Sequence, residues 1–250
     1  MPRILVTNDD GVHAEGIRLL ADAIRPFGDL TVVAPHQESS AIGHALTLRR
    51  PLRIEQLREG VYTVDGTPTD CVNIAITHIL GAKPELIVSG INSGWNIGDD
   101  VTYSGTVSGA LEGALMMIPS IAVSAERRRN VIDYAPGVDA AVHAVGAVLA
   151  KGLPKFTFLN INVPAGPVRG TRVTVQARRN HVTVIDKRID PRGGAYYWIE
   201  EGENEWEPHD RSDYQAVRDG YVSVTPLQPD MTAHETLAYV EGLLAAKREC

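Results

Sequence analysis

Residues 4–11 read Ile4-Leu5-Val6-Thr7-Asn8-Asp9-Asp10-Gly11, and this stretch decides the fold class. A short apolar, β-branched run stops abruptly at an amide, two carboxylates and a glycine. In an open α/β sheet such a run is a buried first strand, and ligands bind in the crevice beyond the carboxyl ends of the strands. Two adjacent carboxylates at a buried strand end repel each other and lose hydration, so they need a cation or strong donors to stay ionised. A hard divalent metal supplies that charge. Asp and Gly also open turns and cap helices, so the motif by itself admits either reading.

Outward from this stretch, strand and helix signals alternate through the first half of the chain. Ile17, Leu20, Ala21 and Ile24 recur at helical spacing, and residues 26–28 stop that helix. Residues 30–34 form a second buried run closed by Pro35, and a polar loop follows at 36–43. Residues 45–54 and 61–64 read as extended pieces. Thr67-Pro68-Thr69-Asp70 opens a helix expected through Ile79, with Cys71 packed in it. Residues 86–89 are another buried strand, running into Gly90-Ile91-Asn92-Ser93-Gly94. A helix rich in small residues at 106–117, a short strand at 121–123, an Ala/Val-rich helix at 134–149 and a strand at 156–161 continue the alternation. The pattern predicts a largely parallel sheet with helices on both faces.

After Pro164 the alternation breaks. Residues 171–177 and 181–185 read as strands, and 189–206 mix glycine, aromatics and glutamates, which suits an antiparallel arm rather than an independent domain. Helical spacing returns at 214–217, a strand at 221–225, and a last helix at about 233–246. The expected organisation is one domain over 1–250: a core to about 165, a hairpin arm over 166–208, and a C-terminal strand and helix over 209–250.

The composition is that of a globular chain, 250 residues with 44% hydrophobic and 22% charged, enough for one substantial core. A net charge of -7 argues against a broad basic surface for duplex nucleic acid. It leaves room for a small anionic substrate, because a metal and backbone amides make a local positive site inside an acidic protein. No apolar stretch approaches the length that crosses a bilayer. Met1-Pro2-Arg3 runs straight into the first strand and leaves no room for a signal peptide, and Cys71 and Cys250 form neither a disulfide framework nor a metal pair. A cytoplasmic location is the expectation.

Three loops each follow an expected parallel strand: 8–11, 35–43 and 90–106. If the strands are neighbours, these loops meet at one rim of the sheet. They then offer Asp9 and Asp10, Ser39 and Ser40, and Asn92 and Asn96. Carboxylate, hydroxyl and amide oxygens suit Mg²⁺, Mn²⁺ or Ca²⁺, and no Cys or His pair of zinc spacing appears there. The third loop ends in Tyr103-Ser104-Gly105-Thr106, where a helix opens with free N–H groups, two hydroxyls and a glycine that permits close backbone approach, an anion site. Ordinary N-capping by Ser104 or Thr106 reads the same residues. A metal site beside a phosphate site suggests phosphoryl chemistry: the metal polarises the phosphoryl oxygens and lowers the pKa of a water, and amides and hydroxyls stabilise the equatorial oxygens. No Gly-x-Ser-x-Gly or Cys–His pairing announces a covalent nucleophile, which favours direct attack by water, with an aspartyl-phosphate route through Asp9 or Asp10 as the alternative.

With these loops in view, the chain resembles the stationary-phase survival protein E (SurE) family of metal-dependent nucleotidases. The resemblance rests on residues 4–11; on Val33-Ala34-Pro35 followed by Ser40 and Leu46-Thr47-Leu48; on Gly66-Thr67-Pro68-Thr69-Asp70-Cys71-Val72; and on Ser89-Gly90-Ile91-Asn92 through Tyr103-Ser104-Gly105-Thr106-Val107. It implies a Rossmann-like three-layer fold with one divalent cation, Mg or Mn, per subunit, held at the positions of Asp9, Asp10, Ser40 and Asn92. It places phosphate contacts at Asn96, Ser104, Gly105 and Thr106. It implies hydrolysis of nucleoside 5′- and 3′-monophosphates, and a homodimer or homotetramer assembled through swapped C-terminal segments and an extended hairpin. The loop His36-Gln37-Glu38-Ser39-Ser40-Ala41 departs from the Arg-rich, Ser-Gly form of such proteins, and Ser39 sits beside the expected ligand Ser40. Asp230 and His234, four apart, fall in the region that the resemblance assigns to subunit contacts, and a helix N-terminus with solvated polar residues reads them equally well.

The leading expectation is therefore a nucleoside monophosphate phosphohydrolase using a metal-activated water. A nucleotide-binding sensor without turnover and a metal-assisted glycosyltransferase are the competing classes. The Asp9-Asp10 pair beside a phosphate nest separates the first from the second, because a binder does not need to activate water.

Overall fold

The computed structural model describes residues 1–129, 131–180, 182–203 and 205–245. His181, Ala246 and Cys250, which the sequence reading places at a strand start, a helix end and a tail, lie outside the described residues. The run that opens the chain forms β1 (Arg3–Thr7), at the centre of a sheet of nine strands. Ile4 and Val6 face one layer of helices and Leu5 the other, as the two-residue side-chain period of a strand requires.

β2 (Asp29–Pro35) and β5 (Leu86–Ser93) flank β1, both parallel to it. Outside β2 lie β4 (Val61–Val64), parallel, and β3 (Ile54–Arg58), antiparallel at the edge. Beyond β5 come β6 (Ser120–Ala125) and β7 (Phe158–Val163), both parallel, then β11 (Val222–Leu227), antiparallel to β7, and β8 (Thr171–Val173), parallel to β11. The chain runs outward from β1 on both sides, so the strand order reverses between β1 and β5. In open α/β sheets the ligand crevice lies at such a switch point, beyond the carboxyl ends of the strands.

Helices cover both faces. The apolar stripe of α1 (Glu15–Ile24) packs with α4 (Ala135–Lys151) on one face, and α2 (Pro68–Ile74) and α3 (Gly105–Leu115) cover the other. A reciprocal cap starts α2: the Asp70 amide donates to the Thr67 hydroxyl at 3.1 Å, and the Thr67 amide donates to the Asp70 carboxylate at 2.9 Å. Pro68 occupies the first helical turn, where its missing N–H costs nothing. The helix expected through Ile79 is α-helical only to Ile74 and continues as a π turn over Ala75–Ile79. Cys71 is a buried free thiol on α2.

Residues 45–53 form no strand, and the ladder begins at Ile54. The Thr47 amide donates instead to Asp70 at 2.9 Å, and the carbonyl of Ala45 accepts from the Thr67 hydroxyl at 2.7 Å. Two of this segment's backbone groups thus go to the start of α2, and the Arg53 amide and carbonyl go to Asp65, which leaves them unavailable to a longer ladder.

The arm is a separate two-stranded antiparallel hairpin, β9 (Thr183–Ile189) and β10 (Ala195–Glu201). After it come α5 (Asp213–Arg218) and, beyond β11, a short turn His234–Thr236 leading into α6 (Leu237–Ala245). His234 Nε2 and Asp230 Oδ2 stand 2.7 Å apart before that helix. Leu237, Tyr239, Val240, Leu243 and Leu244 are all exposed along it. None of the described helices is long and apolar enough to cross a membrane.

Candidate active site

The loop after β1 turns sharply at Gly11, whose φ of +97° suits a residue without a side chain. The Asn8 amide nitrogen donates to the Gly11 carbonyl at 2.9 Å, and the Val12 amide donates to the Pro35 carbonyl at 2.9 Å. These bonds fix Asp9 and Asp10 at the strand end. Asp9 is only 4% exposed. Its carboxylate accepts a short hydrogen bond from the Thr106 hydroxyl at the start of α3. Burial pushes the Asp9 pKa up, the Thr106 bonds oppose that, and the negative charge of Glu38 adds to the rise. Asp10 is pushed up to about 6, first by burial and then by the charge of Asp9, although it accepts from the Ser93 amide at 3.3 Å.

Two carboxylates held side by side against their preferred charge state are the arrangement that a cation relieves. The Asn8 side-chain oxygen is buried beside them without a hydrogen-bond partner. Among the described residues no three His, Cys, Asp or Glu side chains converge as a metal cluster, so a cation bound here would need amide and hydroxyl oxygens beside the two carboxylates. That donor set is hard and oxygen-only, and it fits Mg²⁺ or Mn²⁺.

Asn92 reaches this rim through an irregularity in the sheet. The β5–β6 register advances three residues on β5, from Ser89 to Asn92, against two on β6, from Ala122 to Ser124. Such a bulge re-aims the side chains that follow it. The Asn92 amide nitrogen donates to the Gly94 carbonyl at 2.9 Å, which leaves its oxygen as the atom for a ligand. The second loop comes to the same rim through its backbone, the Ser39 amide donating to the Asp9 carbonyl at 2.7 Å. The Ser40 side chain is exposed, and its hydroxyl donates to Glu38 Oε1 at 2.7 Å instead of to any of the other expected ligands.

Capping and close approach both operate at the start of α3. Ser104 Oγ accepts from the Val107 amide at 3.1 Å. A Cβ on Gly105 would lie 2.7 Å from Asp9 Cβ and 2.9 Å from its Oδ2, so the glycine is what lets the helix terminus meet the carboxylate. The positive end of the helix dipole then faces a negative group. Asn96 is wired into strands on the far side: its amide proton goes to Asn162 Oδ1 at 2.7 Å, its Nδ2 donates to Ser124 Oγ at 2.8 Å, and its carbonyl accepts from Asn160 and Asn162.

Residues 4–183 match the family model described as Survival protein SurE. The chain belongs to the SurE family. It is 52% identical over 230 residues to the 5′-nucleotidase SurE of Syntrophotalea carbinolica, covering 92% of each chain. It is 50% identical over 238 residues to that of Geobacter metallireducens, covering 94% of each. The crystal structure of the SurE protein from Aquifex aeolicus superposes with a TM-score of 0.85 at 43% identity, covering 97% of this chain and 99% of that one. The Rossmann-like reading of a mostly parallel sheet between helices, with a separate antiparallel hairpin, is the fold found.

In this SurE chain the site draws on residues that the sequence reading did not single out. Asn160 and Asn162 sit two apart on β7, both buried, and alternating amides inside a buried strand are a signal that was there to be read. Glu38 accepts from the Ser40 hydroxyl and adds its negative charge to the field at the aspartates. The remaining ones hold the third loop from outside. Arg179, 4% exposed on its side chain, pairs its Nε with Asp99 Oδ1 at 2.7 Å and its terminal nitrogen with Asp100. Its guanidinium also lies over Trp206, which stacks on Tyr214 at 4.2 Å. The Gly98 amide donates to Asp213 Oδ2 at 3.0 Å, and Gln176 donates to the Gly98 carbonyl at 2.7 Å. The chain that follows β7 thus clamps the middle of the third loop.

Proposed function

We propose that the chain is a divalent-metal-dependent phosphohydrolase of nucleoside 5′- and 3′-monophosphates, with Asp9, Asp10, Ser40 and Asn92 as metal ligands and Asn96, Ser104, Gly105 and Thr106 as phosphate contacts. The observation that carries this reading is the contact between the Asp9 carboxylate and the first turn of α3, which supports a cation position beside an anion position. The name 5′-nucleotidase borne by relatives about 50% identical along most of their length supports the substrate class.

A bound Mg²⁺ or Mn²⁺, one per subunit, supplies charge neutralisation at the phosphoryl oxygens and a lowered pKa for water. The chain's own groups do the rest. Thr106 fixes the Asp9 carboxylate, and the Ser93 amide steadies Asp10, so both oxygens are set before substrate arrives. Amides at the start of α3 and the Ser104 hydroxyl face the equatorial phosphoryl oxygens, where fixed dipoles stabilise charge without reorganisation. Asn96 uses one amide proton on Ser124 and keeps the other for phosphate. For Ser40 to join the ligands, its hydroxyl turns from Glu38. The bond broken is the one between phosphorus and the nucleoside oxygen, with water displacing it in line.

The core over 1–165, the arm over 166–208 and the C-terminal piece over 209–250 work as one domain in this reading. Copies assemble as a homodimer or homotetramer in the cytoplasm; the apolar side chains exposed along α6 support an assembly through the C-terminal segment.

The test is phosphate release from AMP and GMP with Mn²⁺ or Mg²⁺, repeated with a chelator and with Asp9→Asn. The reading predicts release that needs the metal and falls by orders of magnitude in the variant while the fold persists. Tight AMP binding with no metal-dependent release favours the sensor, and a fully active Asp9→Asn enzyme overturns the site assignment.

A further inference from the structure

The second loop is fastened at both ends and open between them. At its start the His36 amide donates to the Val64 carbonyl at 2.9 Å, and the Ser39 amide to the Asp9 carbonyl at 2.7 Å. At its far end the Gly43 amide donates to the Tyr103 carbonyl at 2.9 Å. Ser40, Ala41 and Ile42 between these ties are exposed. Ala41 nevertheless holds a φ of +55°. A residue with a side chain keeps that left-handed conformation only where its surroundings impose it.

His44 follows directly, and its side chain leaves the loop for α3. Its Nε2 lies 2.6 Å from Oε2 of Glu112, a buried residue about two turns beyond the Ser104 cap. Burial pushes the Glu112 carboxyl up, and the bonds from His44 and Asn73 outweigh it, so the group sits below its ordinary range. An ionised carboxylate only accepts, which makes the His44 ring the donor. Hydrogen bonds to a charged group are stronger than those between neutral ones. The other oxygen, Oε1, accepts from Asn73 on α2 at 2.7 Å. One buried carboxylate therefore joins α2, α3 and the end of the second loop. Ala45 and Thr47 fasten the chain that follows to the cap of α2. His44 is the side chain that ties this end of the loop to α3, the helix whose Thr106 holds Asp9.

We infer that His44 is a positioning residue: through Glu112 it sets the second loop against α3 and so brings Ser40 into register with Asp9 and Asp10. The inference deepens the proposed metal site and rests on that reading for Ser40 as a ligand. His44 itself touches neither metal nor substrate. Asn73 supplies the contrast, because it binds the same carboxylate from α2 without holding the loop.

The test reads amide hydrogen exchange in the metal-free protein and Mn²⁺ affinity, in the wild type, His44→Ala, His44→Gln, Asn73→Ala and Ser40→Ala. The His44 side chain is 31% exposed, so its removal leaves the core intact. His44→Ala speeds exchange of the Ser39 and Gly43 amides about ten-fold, the scale of one lost bond to a charged group. It weakens Mn²⁺ binding by about ten-fold, the low end of the loss when a ligand's supporting partner is removed. It weakens binding no further when Ser40→Ala is already present. His44→Gln, whose amide donates to Glu112 in the ring's place, recovers most of both losses. Asn73→Ala lowers the denaturation midpoint and leaves the two amides and the Mn²⁺ affinity as in the wild type. Wild-type exchange in His44→Ala, or the same acceleration in Asn73→Ala, overturns the inference. So does Mn²⁺ affinity that falls in Ser40→Ala and holds in His44→Ala. If exchange behaves as described while Ser40→Ala keeps wild-type Mn²⁺ affinity, the tie between His44 and the loop stands and the assignment of Ser40 as a ligand fails.

Discussion

Gly105 sits against Asp9 so closely that a side-chain carbon there would lie 2.7 Å from Asp9 Cβ. The listening end of a carboxylate and the donating end of a helix meet through the absence of one methyl group. In Gly105→Ala, Asp9 or the helix terminus moves. Overpacking of this kind costs about 1–3 kcal/mol. A displacement near 1 Å in a positioned group costs on the order of 100-fold in rate. The expected outcome is a folded protein with its midpoint for denaturation lowered and kcat/KM for AMP reduced about 100-fold; unchanged kinetics would show that the contact carries no function.

The charge state of Asp10 links stability to pH. Its carboxyl is pushed up to about 6 from an ordinary 3.8, mainly by burial and by Asp9. Between those values the folded metal-free chain keeps a proton that the unfolded chain has released, so stability falls as pH rises. The contribution is complete below about pH 4 and lost as pH passes through about 6, and Asp9 acts in the same direction. In EDTA at pH 7.5, Asp10→Asn therefore melts higher than the wild type, by roughly 2–4 °C, the shift that about 1 kcal/mol makes in a chain of this size. The difference narrows toward pH 5, and adding Mn²⁺ favours the wild type instead. Melting curves across pH, with and without the metal, check both signs.

Glu112 on α3 ties that helix to α2 and to His44, just past the second loop. It accepts from the Asn73 amide at 2.7 Å, and its Oε2 lies 2.6 Å from His44 Nε2. Glu112 is buried, so Glu112→Ala removes two bonds at once; Asn73 keeps its donation to the Thr69 carbonyl at 3.0 Å and His44 reaches solvent, which holds the total cost to about 1–3 kcal/mol. Denaturant unfolding of Glu112→Ala is expected to show a loss in that range, with Glu112→Gln recovering part of it through Asn73.

The clamp on the third loop makes a prediction far from the aspartates. Arg179→Ala removes the guanidinium paired with Asp99 and Asp100 and stacked over Trp206. Hydrogen bonds to charged groups contribute about 1.5–3 kcal/mol each, less where the carboxylates reach solvent as these do. The variant should lose about 1–3 kcal/mol in stability and raise the KM for AMP through the loosened Gly98–Thr102 turn. Wild-type KM with lowered stability would confine Arg179 to the scaffold.

What the sequence disclosed depends on how locally each feature is encoded. β1 and the loop at Asp9 and Asp10 are legible because apolar run, acids and glycine are contiguous. The sequence reading sets β3 too early because all of the strand's residues are exposed, which removes the burial pattern that marks a strand, and because Ala45 and Thr47 give their backbone hydrogen bonds to the cap of α2. The N-cap role of Ser104 is written in its neighbours, but the bond between Thr106 and Asp9 spans 97 positions and needs the sheet to exist first. The same holds for Asn96 with Asn160 and Asn162, and for Arg179 with the third loop: chain positions that the topology brings together, with no local periodicity to announce the pairing.

A cation position built from Asp9 and Asp10 beside the start of α3 is the centre of the proposed chemistry. Mn²⁺ binding followed by electron paramagnetic resonance reads it directly, in the wild type, Asp9→Asn and Ser104→Ala. The account predicts one site per chain in the wild type, weakened at least 10-fold by Asp9→Asn and kept by Ser104→Ala. Unchanged Mn²⁺ affinity in Asp9→Asn would contradict it.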